Sequence, residues 1–198
     1  MDIENLIVKN DKNIVLRDIN FKLNKGDCLA LVGKNGSGKT SLLTTLVKNK
    51  EFNNKSLGYI PQEIALFNYL TVFDNFKIFG KVKEKSKFKV NDIVKKLDLE
   101  KYLDMKISKL SGGTKRRVNI GVELIRNPDY IFMDEPIVGI DYNIRKNIIF
   151  LINQLKKEGK IFLIASHNIS FLEKTCNKLL VFENSTQSYF GDYNYEAF

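Results

Sequence analysis

Eight consecutive residues constrain the fold of this 198-residue chain more than any other feature. They read Gly33-Lys34-Asn35-Gly36-Ser37-Gly38-Lys39-Thr40 and fit the pattern G-x-x-x-x-G-K-[ST]. The apolar run Leu29–Val32 before them predicts a strand buried on both faces, and a helix is predicted from Lys39 to Lys48. Glycines let such a loop wrap with its N–H groups pointing inward, and the helix N-terminus adds positive charge. The segment predicts a phosphate-binding loop, with Lys39 on the β- and γ-phosphates and Thr40 on Mg²⁺.

Apolar runs and amphipathic stretches alternate along the rest of the chain. Further strands are predicted at Ile3–Val8, Ile14–Leu23, Tyr130–Met133, Ile161–Ala165 and Leu179–Phe182, and helices at Lys115–Arg126 and over a stretch from Ile144 to Leu155 that ends near Gly159. This alternation predicts an α/β fold with a mostly parallel sheet and helices on both faces. Helical spacing between Thr71 and Lys109 predicts a small helical subdomain at about residues 71–127 of a single domain, 1–198.

Composition narrows the class of protein. Hydrophobic residues make up 43% of the chain and charged residues 28%, as in a globular protein with one core. No run approaches the roughly 18 apolar residues that cross a bilayer, so we expect no membrane span. The net charge of +9 is spread along the chain, which favours a generally basic surface over a site for nucleic acid or an anionic membrane surface. Cys28 and Cys176 lack metal-ligand spacing, and we expect both to be reduced core residues.

Two carboxylates, Asp134 and Glu135, follow the predicted strand Tyr130–Met133. At a strand end beside a phosphate loop, one carboxylate can hold Mg²⁺ through water, and a second can orient or deprotonate an attacking water. Asp134 is therefore the candidate metal residue and Glu135 the candidate base. Taken alone, acids after a strand are more often simply solvated, so this assignment depends on the other motifs.

The segment Leu110-Ser111-Gly112-Gly113 lies between the phosphate loop and the acidic strand. By itself it admits a simpler interpretation, with Ser111 as a helix N-cap and the two glycines as a loop. Together with the other motifs it resembles the ABC ATPases, whose signature loop begins Leu-Ser-Gly-Gly. The resemblance extends from about Ile14 to Phe190, with the motifs in the family's order. It implies an ABC-type P-loop NTPase core with a mostly parallel sheet, an N-terminal antiparallel β subdomain and a small helical subdomain.

The resemblance also implies a role for individual residues. Gln62 matches the glutamine that senses Mg²⁺ and the γ-phosphate, and His167 matches the switch histidine that contacts the γ-phosphate. Asp141, in the loop after the catalytic glutamate, is equally a helix N-cap. The implied catalytic residues are Lys39, Gln62, Glu135 and His167, and the implied metal residues are Thr40, Gln62 and Asp134. The implied ATP-binding residues are Gly33, Lys34, Asn35, Gly36, Ser37, Gly38, Lys39, Thr40, Ser41, Ser111, Gly112 and Gly113.

The resemblance implies partners as well, because in this family two domains enclose ATP between the phosphate loop of one and the signature loop of the other. We expect a dimer, either a homodimer or a pair with a second ABC ATPase, that drives a separate transmembrane permease from the cytoplasmic face of the membrane, with no nucleic-acid partner. The segments Gln62-Glu63, Leu66, Leu70-Thr71-Val72, Asn75-Phe76 and Lys115-Arg116-Arg117 resemble the branch that exports drugs, peptides and polysaccharides. The alternatives are a soluble ABC ATPase, for example in iron–sulfur assembly, and a regulatory module without hydrolysis, which the full motif set disfavours.

Two positions depart from the family pattern. Adenine usually stacks on an aromatic residue upstream of the phosphate loop, where this chain has Asn10 and no Tyr, Phe or Trp nearby. After Pro136 the family often has Thr and Ser, whereas this chain has Ile137 and Val138. We therefore expect weak base stacking and altered polar contacts in the loop after Glu135.

Overall fold

The computed structural model describes residues 1–11, 13–49, 56–80 and 93–194. Its strands are β1 (Asp2–Asn10), β2 (Asn13–Lys22), β3 (Cys28–Val32), β4 (Leu57–Ile60), β5 (Tyr130–Asp134), β6 (Ile161–Ala165), β7 (Lys178–Glu183) and β8 (Thr186–Asp192). The helices described from end to end are α1 (Lys39–Lys48), α2 (Val72–Phe79), α3 (Gly112–Leu124), α4 (Tyr142–Lys157) and α5 (Ile169–Thr175). Short 3₁₀ turns lie at Glu100–Tyr102 and Ile107–Lys109.

The strands form one sheet of eight in the order β1-β2-β8-β7-β3-β6-β5-β4. β3 pairs in parallel with β6 and β7, and β5 pairs in parallel with β4 and β6. β1 pairs antiparallel with β2, and β7 pairs antiparallel with β8. The predicted mostly parallel sheet with an antiparallel N-terminal pair is therefore confirmed. Because parallel strands end at the same edge of a sheet, the loops after β3, β4, β5 and β6 meet there.

Both faces of the sheet are covered. Cys28 and Ala30 of β3 pack in a core that includes α3, α4 and α5, whereas Leu29 and Leu31 pack on the opposite face with α1. This alternation follows from the two-residue period of a strand, and it confirms the helices predicted on both faces. Cys28 and Cys176 lie in the first core as free thiols, with their Sγ atoms 3.3 Å apart.

The region of the predicted helical subdomain contains α2, the two 3₁₀ turns and α3. A capping box starts α2: Thr71 Oγ1 accepts from the Asp74 N–H, and the Asp74 carboxylate accepts from the Thr71 N–H. Residues 81–92 of this region lie outside the described residues, so the extent of the subdomain stays a prediction. Within the described ranges no helix is long and apolar enough to cross a bilayer.

The strands β4 and β8 and the helix α5 were not predicted from the sequence. β4 has four residues and α5 has seven, and β8 has no fully buried position, so none gives a clear hydrophobic period. The predicted start of α3 at Lys115 is too late, since the helix begins at Gly112. Ser111 Oγ accepts from the Thr114 N–H and caps the helix before its apolar positions begin.

Candidate functional site

The loop after β3 wraps around the N-terminus of α1. Gly36 and Gly38 have φ values of 79° and 99°, in the left-handed region that favours glycine. A Cβ atom on Gly38 would also lie 2.9 Å from side-chain atoms of Val15 and Leu16. Gly38 therefore meets both a conformational and a steric requirement, which explains why the pattern has glycine at this position.

Lys39 lies across this loop with little exposure to solvent. Its Nζ donates to the carbonyl oxygens of Gly33 at 2.7 Å and Lys34 at 3.0 Å. Burial lowers the pKa of Lys39 from its ordinary value, and the carboxylates of Asp134 and Glu135 act in the opposite direction. The ammonium group thus lies at the loop itself, bonded to carbonyl oxygens that an anionic ligand would replace.

Asp134 ends β5 beside the start of α1 and is 2% exposed. Its Oδ2 accepts a hydrogen bond of 2.7 Å from Thr40 Oγ1. The fold therefore brings together two of the predicted metal residues that are 94 positions apart in the chain. A hydroxyl and a carboxylate are hard oxygen donors of the kind that Mg²⁺ prefers.

Glu135 lies one residue beyond β5 in a left-handed conformation, with φ of 45°. Its backbone N–H donates to the Ala165 carbonyl at 2.9 Å, so β6 fixes its position. Its Oε2 accepts from Ser166 Oγ at 3.2 Å, and its Oε1 accepts from the His167 N–H at 3.0 Å. Burial raises the pKa of Glu135, while His167 and the Ser166 hydrogen bond act to lower it. A partly buried carboxylate on strained backbone is a candidate for chemistry.

These groups line one cavity of about 590 Å³. The lining residues are Asn35, Gly36, Ser37, Gly38, Lys39, Thr40, Ser41, Gln62, Asp134, Glu135, Val138 and His167. The loops after β3, β4, β5 and β6 thus bring their predicted site residues to one edge of the sheet. Of the predicted site residues, Ser111, Gly112 and Gly113 are not among the lining residues, and Gly33 and Lys34 line a neighbouring cavity instead.

A family model described as ABC transporter matches residues 16–138, which include the loop after β3, the signature segment and both acids after β5. This chain belongs to the ABC transporter family. It is an ATP-binding domain of the type that hydrolyses ATP in transport.

Several ABC proteins are similar to the chain over most of its length. An uncharacterized ABC transporter ATP-binding protein of Methanocaldococcus jannaschii is 32% identical over 96% of the chain and 76% of its own length. The linearmycin resistance ATP-binding protein of Bacillus subtilis is 31% identical over 89% of the chain and 64% of its own length. A solved ATP binding subunit of an ABC transporter matches with a TM-score of 0.87 at 21% identity, covering 96% of this chain and 89% of that one.

Relatives of both transport directions are also found. A Nod factor export ATP-binding protein of Rhizobium sp. is 28% identical over 86% of the chain and 64% of its own length. A zinc import ATP-binding protein of Ehrlichia chaffeensis is 30% identical over 93% of the chain and 81% of its own length. The relatives of this chain thus include proteins named for export and for import.

In this ABC domain the signature segment forms the N-terminus of α3. Ser111 is the N-cap, which agrees with the simpler interpretation of this residue. A Cβ atom on Gly113 would lie 2.4 Å from the Gly139 carbonyl oxygen, so the signature segment touches the loop after Glu135. Asp141 caps α4 by accepting a backbone hydrogen bond of 3.0 Å. Both predicted caps are present, and a cap leaves other roles open.

The positions that depart from the ABC pattern are placed as follows. Asn10 is exposed at the end of β1, and the described cavity-lining residues include no Tyr, Phe or Trp. Ile137 is buried in the core, whereas Val138 is 58% exposed and lines the cavity. The described lining of the cavity is therefore polar apart from Val138 and the glycines.

Two contacts at the site were not predicted from the sequence. Ser166 donates to the Glu135 carboxylate, and Arg116 donates to the carbonyl oxygens of Pro61 and Gln62. Each contact joins segments more than 30 residues apart, so no local pattern indicates it.

Proposed function

We propose that this chain is the ATP-hydrolysing subunit of an ABC exporter, and that two copies act together on a separate transmembrane permease at the cytoplasmic face of a membrane. The observation that carries the proposal is the convergence of Lys39, the Thr40 and Asp134 pair, Glu135 and His167 on one cavity. Positioned charges of this kind are what phosphoryl transfer requires, because its catalysis is mostly positioning and electrostatics.

ATP enters this cavity with its phosphates on the loop after β3, where Lys39 and the backbone amides hold them. Thr40, Asp134 and Gln62 would hold Mg²⁺, which would neutralise charge on the phosphates. The described residues contain no group of three or more acidic, histidine or cysteine side chains that could hold a metal alone. That fits Mg²⁺, which usually takes one or two protein carboxylates and completes its shell with phosphates and water.

Glu135 acts as the base that takes a proton from the attacking water. Ser166 Oγ and the His167 N–H each donate to one oxygen of its carboxylate, so the two residues that follow β6 orient both oxygens. The His167 side chain is 56% exposed with Nε2 3.6 Å from Glu135 Oε1, which leaves the ring accessible to the γ-phosphate.

The rate of hydrolysis should fall on acidification at a higher pH than for an exposed glutamate, because burial raises the pKa of Glu135 above 4.5. Ser166→Ala removes a hydrogen bond that favours the carboxylate form, so the pKa of Glu135 should rise further. We expect the acid limb of the kcat profile to move to higher pH in Ser166→Ala. The measurement is kcat against pH, with Ser170→Ala, an exposed serine of α5, as the control. Coincident acid limbs in all three proteins would count against Glu135 as the base.

A second copy of the chain completes the nucleotide site. One copy supplies one phosphate loop and one signature segment, and that segment is not part of its own cavity lining. We propose that Ser111, Gly112 and Gly113 contact ATP bound to the partner subunit.

Export, rather than import, is supported by the segments at Gln62 to Phe76 and Lys115 to Arg117, which resemble the exporter branch. The Nod factor export relative supports it as well, and the zinc import relative is the counterexample. We also propose that residues 1–198 form one domain with a helical subdomain at about 71–127, because the elements described there are helical. No described feature favours a soluble ABC ATPase outside transport.

The permease is proposed to dock on the segment that follows Gln62. Ile64, Phe67 and Tyr69 are 37%, 47% and 86% exposed, whereas Leu66 packs against the core. We therefore expect Tyr69→Glu to move most of the chain from the membrane pellet of the source cells to the supernatant, because a charge in an apolar contact is costly. Affinity for ATP should be unchanged.

The control for this docking experiment is Tyr142→Glu, which changes another exposed tyrosine, 63% exposed, at the start of α4. This variant should stay with the membranes. Membrane recovery of Tyr69→Glu equal to that of the control would place the docking surface elsewhere.

A further inference from the structure

Arg116 joins the helix that carries the signature segment to the loop that carries Gln62. It lies near the start of α3 and is 5% exposed. One terminal nitrogen donates to the Pro61 carbonyl oxygen at 2.6 Å, and the other donates to the Gln62 carbonyl oxygen. Two donors on a planar guanidinium fix both the position and the orientation of the peptide that they contact. The backbone at the edge of the cavity is therefore held by α3.

The neighbouring arginine has other acceptors. Arg117 is 7% exposed and donates to the backbone carbonyl oxygens of Leu97 and Asp98, to the Asp98 carboxylate and to Thr114 Oγ1. Arg117 thus has an ion-pair partner, whereas none of the ion pairs among the described residues involves Arg116. Removing a cation from water without such a partner is costly, and the hydrogen bonds of Arg116 to the two backbone carbonyl oxygens offset part of that cost.

Two buried asparagines hold the residues that follow Gln62 in a similar way. Asn119 of α3 accepts from the Ala65 N–H at 3.3 Å, and Asn75 of α2 accepts from the Phe67 N–H at 2.9 Å. This segment forms no helix or strand of its own, so side chains of α2 and α3 determine its path.

We propose that Arg116 is a positioning residue for ATP hydrolysis, which holds Gln62 at the cavity and makes its position depend on α3. The inference rests on the proposed function, which gives Gln62 its role at Mg²⁺ and the γ-phosphate. The same helix begins with the signature segment, so engagement of that segment with ATP on the partner subunit is transmitted to Gln62 of this copy. Arg116 thereby links the two nucleotide sites of the dimer.

The first test compares Arg116→Met, which keeps the side-chain length but removes the donors, with Lys160→Met as a control, since Lys160 is a buried cation that bonds the Asn127 carbonyl and Asp129 away from the cavity lining. We expect Arg116→Met to lower kcat by about tenfold to a hundredfold, the usual effect of misplacing a positioned group. ATP affinity measured without Mg²⁺ should be unchanged, and Arg116→Lys should recover kcat only in part, because one ammonium group cannot replace two donors of fixed geometry. Lys160→Met should lower the unfolding midpoint but leave kcat near the wild-type value. Equal losses of kcat in Arg116→Met and Lys160→Met would overturn the inference in favour of a purely structural role.

The second test is a double-mutant cycle with Gln62→Ala. If Arg116 acts through Gln62, Arg116→Met should lower kcat little further in the Gln62→Ala background. Losses that multiply would overturn the inference, because Arg116 would then act independently, for instance through its charge near Asp134 and Glu135. If Arg116→Met does not fold, Arg116→Gln replaces it in the cycle. Absence of ATP hydrolysis by the wild-type chain would overturn the proposed function and the inference together, whereas multiplying losses would leave the proposed function standing.

Discussion

Glu135→Gln is expected to slow ATP hydrolysis by at least about a hundredfold, the usual range for loss of a general base. ATP should still bind, because Lys39 and the phosphate loop are unchanged. The amide cannot accept a proton from water, although it has nearly the same size as the carboxylate. Since the site then holds ATP without turning it over, the variant should also accumulate as a nucleotide-bound dimer. The measurements are kcat from phosphate release and the mass of the ATP-bound species by light scattering.

The matched control for this substitution is Glu173→Gln, which changes an exposed glutamate of α5 away from the cavity lining. It should hydrolyse ATP at the wild-type rate. If Glu135→Gln also kept near-normal turnover, Glu135 would not be the base, and its strained backbone would need another explanation.

Lys39→Met should weaken ATP binding by at least about tenfold and remove most hydrolysis, because a cation on the phosphates is lost in a site of low dielectric constant. The methionine retains the apolar part of the buried side chain, so the fold should survive. The loop carbonyls of Gly33 and Lys34 lose the donor that they share. Nucleotide titration and phosphate release measure the two effects.

Lys48→Met is the matched control for Lys39→Met, because Lys48 is exposed in the last turn of the same helix. Its affinity for ATP should equal that of the wild type. A wild-type affinity in Lys39→Met would show that the ammonium group does not meet the phosphates.

The parts of the fold that were predictable from the sequence are those with a strong local pattern. The strand β3, the glycine loop and α1 follow one another in the chain, and their residues alone predict the turn and the helix start. The order of the strands was not predictable. The α/β class implies a parallel sheet, but the neighbours of β3 in that sheet are more than 100 residues away in the chain. The strand β8 pairs with β7 through backbone bonds that polar residues make as readily as apolar ones.

The features of the site also fall into those that local sequence predicts and those that it does not. Lys39 and Thr40 are adjacent in a motif, and Asp134 and Glu135 follow an apolar run. The sequence alone therefore predicts all four as candidate site residues. The left-handed backbone of Glu135 could not be predicted from the sequence, because it depends on the contact with Ala165 in β6. The resemblance to ABC ATPases supplied Gln62 and His167, for which local patterns give little signal.

The Arg116 contact shows why contacts between residues far apart in the chain could not be predicted from the sequence. Arg116 was singled out only as part of a run that resembles exporters, and nothing in that run indicates that it is buried. Its partners are carbonyl oxygens 54 and 55 residues away, which any residue type would present. Backbone acceptors carry no sequence signature, so only the structure could connect α3 to Gln62.

Turnover per copy of the purified wild-type chain, measured across a wide range of protein concentration, tests the central claim most directly. Because each site is completed by the signature segment of a partner subunit, we predict turnover that rises with concentration as dimers form and always exceeds that of Lys39→Met. Turnover no greater than that of Lys39→Met at any concentration would contradict the account of this chain as an ATP-hydrolysing subunit.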